Sequence, residues 1–321
     1  MPEKGNKEAF PKVARSFPGE NRMMHAINNV EIEDTFAEAF GLWGGRVIIT
    51  AVNRKWAREA ANKMTGFATS VIGCGCEAGI ECDLDQTPDG RPGVSVLLFA
   101  YGKDSLAKHL VDRIGQCILT CPTTACFNGL PAAEPVPVGS QLRFFGDTFQ
   151  ISKVIDGRRY WRVPVMEGEF LVEEKFGIQR AVGGGNILIL GSTPEATLQA
   201  AELAAESMRC VPGIVLPFPG GIVRSGSKVG SRYKFLKAST NDAYCPSLRG
   251  LVDTALPEGV NSVLEIVIDG LEIQDVEHAT RQGILAACIP GVCRISAGNY
   301  GGNLGKFKIY LYEVLKEVVS A

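Results

Sequence analysis

Histidine is scarce in this chain, and its scarcity narrows the chemistry that the protein can perform. Only three histidines occur in 321 residues, at His25, His109 and His278. The surrounding pattern puts His109 and His278 on the polar faces of predicted helices, where a solvated side chain is expected. A Ser-His-Asp hydrolase or a histidine-rich metal centre requires imidazoles beside their catalytic or ligand partners. The sequence therefore disfavours both classes.

Long apolar segments and an excess of either charge are also missing. No apolar run reaches the roughly 20 residues that a membrane helix requires, and residues 1–26 contain no stretch that resembles a signal peptide. The 33 basic and 35 acidic side chains give a formal net charge of -2. The chain as a whole therefore lacks the excess of basic residues that is typical of proteins that bind nucleic acid or anionic membranes. We expect a cytoplasmic protein that binds neither nucleic acid nor a membrane.

The ten cysteines do not form a recognisable set of metal ligands. They cluster at 74–82 and 117–126, but neither spacing matches paired C-x2-C ligands and no histidine completes a site. In a chain without a secretion signal, such thiols are expected to be reduced and packed as small apolar side chains. Packing is thus favoured over metal binding, and we predict neither a metal site nor a disulfide.

Glycine-rich segments occur at 183–185, 220–221 and 298–302. None of them lies between a strand and a helix as G-x-G-x-x-G or a Walker loop, which disfavours dinucleotide and mononucleotide binding. Two interpretations stay open. The glycines form tight turns, or their backbone amides approach flat or anionic parts of a ligand.

Strand and helix periodicities alternate regularly along the first half of the chain. Apolar runs at 46–51 and 69–72 are predicted strands that flank an amphipathic helix with an alanine-rich inner face. A strand at 94–100 and a short apolar run near Ile118 flank a second helix. Each of these groups has the form of a strand–helix–strand unit.

The second half repeats this arrangement. Strands at 187–190 and 214–216 flank a helix that is expected to bury Leu198, Ala201, Ala205 and Met208, and strands at 263–268 and 292–297 flank another. Strand–helix–strand units in two pairs predict an α+β fold of two related ferredoxin-like (split βαβ) lobes that arose from an internal duplication.

An antiparallel hairpin insert is predicted between the lobes. The Asp156-Gly157 pair separates strand-like runs at 152–155 and 158–161, and an Asp-Gly pair in this setting is a strong hairpin signal. The predicted divisions of the chain are a flexible N-terminal extension at 1–25, an N-terminal lobe at 26–162 and a C-terminal lobe at 163–321.

The most distinctive stretch runs from Pro217 to Pro246 and is too long to be a plain connector. Loops of this length inside compact domains are usually functional or disordered, and the apolar pair Phe235-Leu236 argues for order. We therefore predict a binding surface. Its candidate binding residues are Gly220, Gly221, Arg224, Ser225, Ser227, Lys228, Ser239, Thr240, Asn241, Asp242 and Tyr244.

Glu265 is the most informative charged residue. Alternation along the strand at 263–268 puts Ile266 and Ile268 on one face and Glu265 with Val263 on the other. An apolar setting would raise its pKa and let the carboxyl donate a proton or hydrogen bond to a developing oxyanion. The alternative is an edge-strand carboxylate that faces water or pairs with an arginine, and the pattern alone favours that alternative.

Six stretches of the chain, taken in order, carry a more specific signal than any single motif. They are NNVEIEDTFAEAF at 28–40, TPDGRPGV at 87–94, DRIGQC at 112–117, FPGGIVRSGSKVGS at 218–231, ASTNDAYCP at 238–246 and ISAGNYGG at 295–302. Together they resemble the formylmethanofuran:tetrahydromethanopterin formyltransferase family. The resemblance extends from about residue 27 to the C-terminus.

The resemblance implies two related α/β lobes, a homotetramer built from dimers, and formyl transfer between methanofuran and N5 of tetrahydromethanopterin. It implies no metal or prosthetic group, with the two carriers acting as co-substrates. The family's catalytic carboxylate precedes a short hydrophobic run that ends in Asn/Asp-Gly-Leu, and this motif falls on Glu265. The resemblance thus favours the catalytic interpretation of Glu265.

The resemblance also implies roles for the loop. Protonated Glu265 would donate to the formyl oxygen or shuttle a proton to the leaving amine. Ser239, Asn241 or backbone amides near Gly220 would complete the oxyanion pocket.

The family's carriers are anionic and extended, which implies roles for the outer residues of the site. Arg224 and Lys228 are expected to bind carboxylate or phosphate groups. Phe218 and Tyr244 are expected to flank a flat ring, and Asn299 in the glycine-rich segment 298–302 is a further candidate binding residue.

Two other classes stay open. Some relatives in methylotrophic bacteria sit in complexes with hydrolase subunits, so the chain is alternatively one subunit of such a complex. Tandem ferredoxin-like lobes also occur as non-catalytic ligand-binding or RNA-binding modules, and fold alone does not exclude them. Aliphatic strands and a slightly negative net charge disfavour RNA binding.

Overall fold

The computed structural model describes residues 25–130 and 134–319. The strands are β1 (His25–Ile27), β2 (Val30–Ile32), β3 (Phe36–Thr50), β4 (Glu77–Leu84), β5 (Gly93–Ala100), β6 (Ala125–Asn128), β7 (Glu134–Val136), β8 (Ile151–Ile155), β9 (Arg158–Val165), β10 (Gly168–Glu173), β11 (Phe176–Gly191), β12 (Ile214–Val215), β13 (Lys228–Val229), β14 (Ala238–Ser239), β15 (Ser262–Gly270), β16 (Val292–Ser296) and β17 (Phe307–Tyr310). The helices are α1 (Arg54–Thr65), α2 (Val71–Cys74), α3 (Lys103–Arg113), α4 (Gly139–Leu142), α5 (Pro194–Met208), α6 (Ile273–Ala287) and α7 (Leu311–Val319).

The first half is built on four antiparallel strands in the order β4-β5-β3-β6. Helix α1 follows β3 and helix α3 follows β5, as the strand–helix alternation predicts. The Asn53 side chain accepts a hydrogen bond from the Trp56 N–H and caps α1, whose buried face is mainly alanine. Both helices pack on one face of these strands and enclose a core that contains Met64, Leu106 and Leu110.

The second half repeats this order as β12-β15-β11-β16. Helix α5 begins after Thr193, which caps the Ala196 N–H, and α6 follows β15. The two helices approach closely because α5 presents alanines and α6 presents Gly283, where an added Cβ would meet the Met208 side chain. The α+β class predicted from the sequence is confirmed by this arrangement.

Two long strands join the halves into one sheet. The first part of β3 pairs antiparallel with the first part of β11, from Gly45 opposite Ile178 to Phe40 opposite Gly183. Fifteen strands of the described residues are hydrogen-bonded in this sheet. A separate cluster with Phe99 at its centre fills the junction between the halves; its members are Leu42, Leu97, Phe99, Leu130, Ala181, Val215 and Leu271.

The predicted hairpin insert is present. Strands β8 and β9 pair antiparallel around Asp156 and Gly157, which have φ values of 50° and 76°. Two successive residues with positive φ form the turn that matches the twist of a hairpin. The predicted boundary between residues 162 and 163 falls inside β9, which runs to Val165 and pairs next with β10. The predicted extension at 1–25 lies outside the described residues except for His25, the first residue of β1.

Two predicted elements of the first half are wrong. Residues 69–72 were expected to form a strand, but the Ser70 side chain caps Ile72 and a short helix runs from Val71 to a left-handed Gly75. The returning strand of this unit is β4, which the sequence pattern did not reveal. The apolar run near Ile118 is a π-helical turn that continues α3 and buries Ile118 in the core.

Leu198 is also placed differently from the prediction, since 45% of its side chain is exposed. Ala201, Ala205 and Met208 are buried as predicted, and with Ala200 and Ala204 they form an inner face of mostly small residues that lets the helix lie close to its neighbours. Within residues 25–130 and 134–319, no helix has the length and apolar character needed to cross a membrane.

Candidate functional site

Glu265 lies on a strand that gives it apolar neighbours along the chain and across the sheet. On β15 it is flanked by Val263 and Val267, the residues two positions before and after it on the same face. Across the sheet it faces Leu188 of β11 on one side and Val223 on the other. The Val223 contact is a pair of backbone hydrogen bonds of 2.7 and 2.9 Å to the Glu265 peptide.

Burial in these surroundings raises the pKa of Glu265 to about 7. No cationic side chain forms an ion pair with Glu265 in the part of the chain that the structure describes. Glu265 nevertheless remains partly accessible to solvent. A carboxyl in this position is protonated in a large fraction of molecules at neutral pH and still able to reach a ligand, as the catalytic interpretation requires.

Tyr300 is a half-buried polar residue that responds to the charge of Glu265 and that the sequence reasoning missed. Burial and then the negative charge of Glu265 raise the pKa of the Tyr300 hydroxyl, while the Ser227 side chain opposes this. The charge of Glu265 therefore acts on Tyr300, although the two residues come from separate parts of the chain. The stretch ISAGNYGG contains Tyr300 and was a possible signal for it.

Glu38 holds the segment that carries Tyr300. Its carboxylate is fully buried and accepts four backbone hydrogen bonds of 2.5–2.9 Å. The donors are the N–H groups of Tyr300, Gly302, Leu304 and Gly305. Burial raises the pKa of Glu38, but these four donors outweigh burial, and the pKa lies below its usual value. An ionised carboxylate thus fixes the loop as an internal ligand.

Several predicted loop residues bind one another. Lys228 forms an ion pair with Asp242, and its hydrogen bond lowers the pKa of Asp242. Lys228 also lies opposite Ser239 in the β13–β14 pair, and the Ser239 hydroxyl donates to the Gly230 carbonyl at 2.8 Å. Thr240 donates to the Ser225 carbonyl at 3.4 Å. These contacts close the loop into an ordered hairpin beside Ser227.

The C-terminal end of the loop packs against the sheet through Tyr244. Its ring packs with a cluster that contains Leu188 and Leu256. Burial and then the charge of Glu33 raise the pKa of the Tyr244 hydroxyl. Asn241 precedes the 3-10 turn Asp242–Tyr244, and its carbonyl accepts from the Tyr244 N–H at 3.0 Å.

Phe218, Gly220 and Gly221 line a different part of the molecule. They border a cavity of about 390 Å³ between the end of α1, β4 and the chain after β12, and Glu265 is not among its lining residues. Gly220 has a φ of 62°, and an added Cβ would meet nothing within 4 Å, so the backbone conformation and not crowding requires glycine there. Its carbonyl accepts from Arg209 at 2.7 Å.

The remaining candidates face solvent. Arg224 and Ser225 are exposed at the start of the loop. The Asn299 side chain is exposed and turns back toward β3, where it donates to the Thr35 hydroxyl at 3.1 Å and the Phe36 carbonyl at 3.3 Å.

A second carboxyl group lies further along the same face of β15. Asp269 is fully buried and hydrogen-bonds to the side chain of Glu77 from the first half of the chain. The Asp269 Oδ1 atom accepts from the Gly184 N–H at 2.9 Å, and Glu77 accepts from the Val71 N–H at 3.1 Å. Burial raises the pKa of both carboxyls, and two acids in this contact share a proton.

We expect this carboxyl pair to make the free energy of unfolding fall as the pH rises. Because the folded-state pKa values are raised, the contribution is complete below the unfolded-state values and is lost as the pH increases through the folded-state values. In Asp269→Asn, the amide replaces one acid and donates to Glu77, so the loss of stability as the pH rises should be smaller than in the wild type. Urea titrations at several pH values measure how the free energy of unfolding changes with pH. The control is Asp104→Asn, a substitution of an exposed aspartate. Parallel pH profiles for Asp269→Asn and the wild type would contradict the assignment.

The fold and the site define a class: a two-lobed α+β enzyme with an acid that titrates near neutrality in apolar surroundings. The chain belongs to the formylmethanofuran-tetrahydromethanopterin formyltransferase family. The family model of that description matches residues 25–165, and the model of the proximal lobe matches residues 168–314. The resemblance found in the sequence is confirmed.

Individual relatives agree with this assignment. The formyltransferase of Methylococcus capsulatus is 59% identical, and the match covers 90% of this chain and 99% of the relative. The formyltransferase/hydrolase complex of Methylorubrum extorquens, solved with methylofuran, has a chain that matches with a TM-score of 0.89 and 51% identity, over 91% of this chain and 99% of that chain. The Methanosarcina barkeri formyltransferase matches with a TM-score of 0.87 and 50% identity, over 90% and 100% of the two chains.

Proposed function

We propose that this chain transfers a formyl group between N-formylmethanofuran and N5 of tetrahydromethanopterin through a tetrahedral intermediate. Family membership along nearly the whole length of the relatives supports this function. The observation that carries the chemistry is Glu265, whose apolar surroundings raise its pKa to about 7. We propose that both carriers act as co-substrates and that no metal or prosthetic group takes part.

In the proposed reaction, the incoming amine attacks the formyl carbon and the carbonyl electron pair moves to oxygen. The protonated carboxyl of Glu265 donates a hydrogen bond to that oxygen as its negative charge develops. When the intermediate collapses, the C=O bond re-forms, the bond to the leaving amine breaks, and that amine takes up the proton that the attacking amine loses. The reaction therefore needs an acid that is neutral before the reaction and close to the oxygen.

The loop residues are proposed to bind the carriers. Arg224 is exposed and presents a guanidinium group suited to a carboxylate or phosphate. Lys228 already pairs with Asp242, so it reaches a carrier anion only in competition with that contact. Ser239 and Asn241 lie in the hairpin beside Ser227, which supports a contribution to the oxyanion pocket.

The proposed binding residues form two groups. Ser225, Ser227, Thr240, Asp242, Tyr244 and Asn299 belong with the loop and the glycine-rich segment near Glu265, whereas Phe218, Gly220 and Gly221 belong with the cavity beside β4. A carrier that is long enough to contact both groups would extend from the cavity toward the carboxyl. The Gly220 carbonyl is already bound by Arg209, so its backbone is held in place for such a contact.

The finer features of the fold and assembly are also proposals. Two ferredoxin-like lobes from an internal duplication, divided near residue 162, are supported by the equivalent strand orders β4-β5-β3-β6 and β12-β15-β11-β16. We propose a cytoplasmic homotetramer. The alternative is membership of a larger assembly, because a relative from Methylorubrum extorquens that is 51% identical is one subunit of a formyltransferase/hydrolase complex.

We expect the purified chain alone to transfer the formyl group when both carriers are supplied. The absorbance of the formylated pterin is used to follow the reaction. Size-exclusion chromatography with light scattering gives the oligomeric state of the same sample. A chain that binds the carriers without turnover would contradict the enzymatic proposal. Turnover that appears only after addition of hydrolase subunits would favour the complex.

A further inference from the structure

The chain leaves the main sheet directly after β16, and the Asn186 side chain takes over the pairing at that point. Strand β16 pairs with β11 from Leu188 opposite Ser296, so the same register two residues further on would place Gly298 opposite Asn186. The strand ends at Ser296 instead. The Gly298 N–H donates to the Asn186 side-chain oxygen at 2.5 Å, and the Asn186 NH₂ group donates to the Gly298 carbonyl at 3.1 Å. The buried Asn186 side chain thus fixes where the glycine-rich segment 298–305 begins.

Asn186 lies on the same face of the sheet as Glu265. In the antiparallel pair of β11 and β15, Leu188 is opposite Glu265 and Asn186 is opposite Val267. Residues that are directly opposite share a face of the sheet, and so do residues two positions apart on one strand. Asn186 and Glu265 are therefore diagonal neighbours on one face, with a Cα separation of about 7–8 Å. The segment that Asn186 holds begins on the face that carries the Glu265 carboxyl.

Glu38 anchors the rest of this segment. Its N–H donates to the Gly298 carbonyl at 3.2 Å, so that carbonyl is bound by both Asn186 and Glu38. Its carboxylate accepts the four backbone N–H groups described above, and the Asn299 side chain accepts the Gly301 N–H at 3.2 Å. Six of the eight N–H groups between residues 298 and 305 are thereby bound inside the protein. These contacts disfavour the interpretation in which the amides of this segment bind an anion.

We propose that the segment 298–305 is a fixed wall of the formyl-transfer site that borders the planar ring of the pterin carrier, and that Asn186 and Glu38 are the residues that position it. The reacting N5 atom belongs to that ring, so the ring must come next to the acid that serves the transfer. A wall that is rich in glycine and whose N–H groups are already bound lets a flat ring approach closely and offers little to an anionic tail. The inference rests on the proposed role of Glu265 and extends it to the adjacent segment.

A fixed wall also limits the water that reaches Glu265. Burial is what raises the pKa of Glu265 to about 7, so a wall that moves away should admit water and lower that pKa. Titratable or charged side chains also belong to the elements around this face, namely Glu38, Arg224, Tyr244, Asp269 and Tyr300. Asn186 is uncharged, so its replacement leaves all of these charges in place. A change in the pKa of Glu265 in an Asn186 variant therefore reports the access of water.

Asn186→Ala in the full-length protein tests the wall. We expect the alkaline limb of the kcat/KM profile to move down by about one pH unit, because water that reaches Glu265 lowers its pKa. The acid form at about pH 7 would then fall from about one half to about one tenth of the molecules. The value of kcat/KM should therefore fall about five-fold at about pH 7 and stay close to that of the wild type at about pH 5. A general loss of structure would lower kcat/KM at both pH values.

Gly298→Ala is a milder variant that disturbs the same contact and keeps Asn186. An added Cβ would lie 3.2 Å from the Asn186 side-chain oxygen, so the contact must open by a few tenths of an ångström. We expect the alkaline limb to move down in this variant as well, by a smaller amount. An alkaline limb at the wild-type position in either folded variant would overturn the proposal.

The matched control is Asn128→Ala in the first half of the chain. Asn128 is half-buried on β6, and its side chain accepts the Leu130 and Gly177 N–H groups, both at 3.0 Å. Its replacement also removes backbone contacts, but on a strand that pairs with β3 and not with β15. We expect the alkaline limb of Asn128→Ala to stay at the wild-type position. An equal shift in Asn128→Ala would show a general loosening of the protein and contradict the specific role of Asn186.

Hydrogen exchange of the peptide that covers residues 298–305 tests Glu38. In Glu38→Gln, an NH₂ group replaces one carboxylate oxygen and faces N–H donors. We expect exchange in this peptide to become faster by about ten-fold or more, and the alkaline limb to move down as in Asn186→Ala. The control is Glu173→Gln, which alters another buried carboxyl that accepts a backbone N–H, that of Asn128 at 2.9 Å, and should leave exchange in 298–305 unchanged.

Wild-type exchange in Glu38→Gln would remove Glu38 from the positioning of the wall. Failure of the inference is distinct from failure of the proposed function. An active wild type whose alkaline limb is unaffected by Asn186→Ala contradicts only the wall, whereas an inactive wild type contradicts formyl transfer itself.

Discussion

Glu265→Gln is expected to lower the kcat of formyl transfer by about 100- to 10,000-fold with a smaller effect on KM. Glutamine keeps the size and a hydrogen-bond donor, but its amide is a weaker donor than a carboxylic acid. Its neighbours across the sheet, Leu188 and Val223, are apolar and cannot take over this role. Steady-state kinetics with both carriers measure the loss.

The exposed Glu202→Gln on α5 is the matched control, and circular dichroism should show the same fold in both variants. The pH profile adds a second readout. Because the pKa of Glu265 is raised to about 7, the donor is present below that pH and kcat should fall as the pH rises through it. Near-normal turnover in Glu265→Gln, or an unchanged alkaline limb, would remove Glu265 from the mechanism.

Phe99→Ala is expected to lower the free energy of unfolding by about 3–5 kcal/mol. Phe99 is fully buried in the cluster at the junction of the two halves, and removal of its ring leaves a cavity that residues from both halves border.

Since this cluster joins the two halves, urea unfolding of the wild type should occur in a single transition. Two separate transitions in the wild type would contradict a shared core.

Gly44 offers a way to test the geometry of this junction. A Cβ added at Gly44 would lie 2.9 Å from the Phe99 ring and 3.0 Å from Ala181 and Leu271. We therefore expect Gly44→Ala to destabilise the wild type by about 1–3 kcal/mol through overpacking. In Phe99→Ala, the same methyl group enters vacated space, so its cost should become much smaller. Additive losses would show that the two side chains do not meet.

The repeated helices and the hairpin were predictable because their signals are local. Helix α1 is encoded by the spacing of its alanines and by Asn53, and the hairpin by Asp156-Gly157, whose positive φ values suit that turn. The segment at 69–72 was predicted wrongly because its apolar run also fits a single helical turn. The Ser70 cap decided between them in favour of the helix.

The candidate site was predictable only in part. Alternation put Glu265 on the other face of the strand from Ile266 and Ile268. The sequence pattern favoured a solvated carboxylate until the family resemblance was considered. Glu38 gave no signal at all, because the backbone donors that it binds come from residues more than 260 positions later in the chain. Tyr300 lay in a recognised stretch, but its relation to Ser227 depends on how two loops meet.

The sequence by itself determined the family, the α+β class and the residue type at each position of the site. Periodicity and turn residues act over a few positions, so they can be read without knowledge of the rest of the chain. The tertiary structure decided which carboxyl groups are ionised. Glu265 is buried beside apolar strand neighbours, Glu38 meets four N–H donors and Asp269 meets another acid, and these surroundings come from strands and loops that are distant in sequence. A pKa depends on what surrounds a group in space, and that is set only when the two halves fold together.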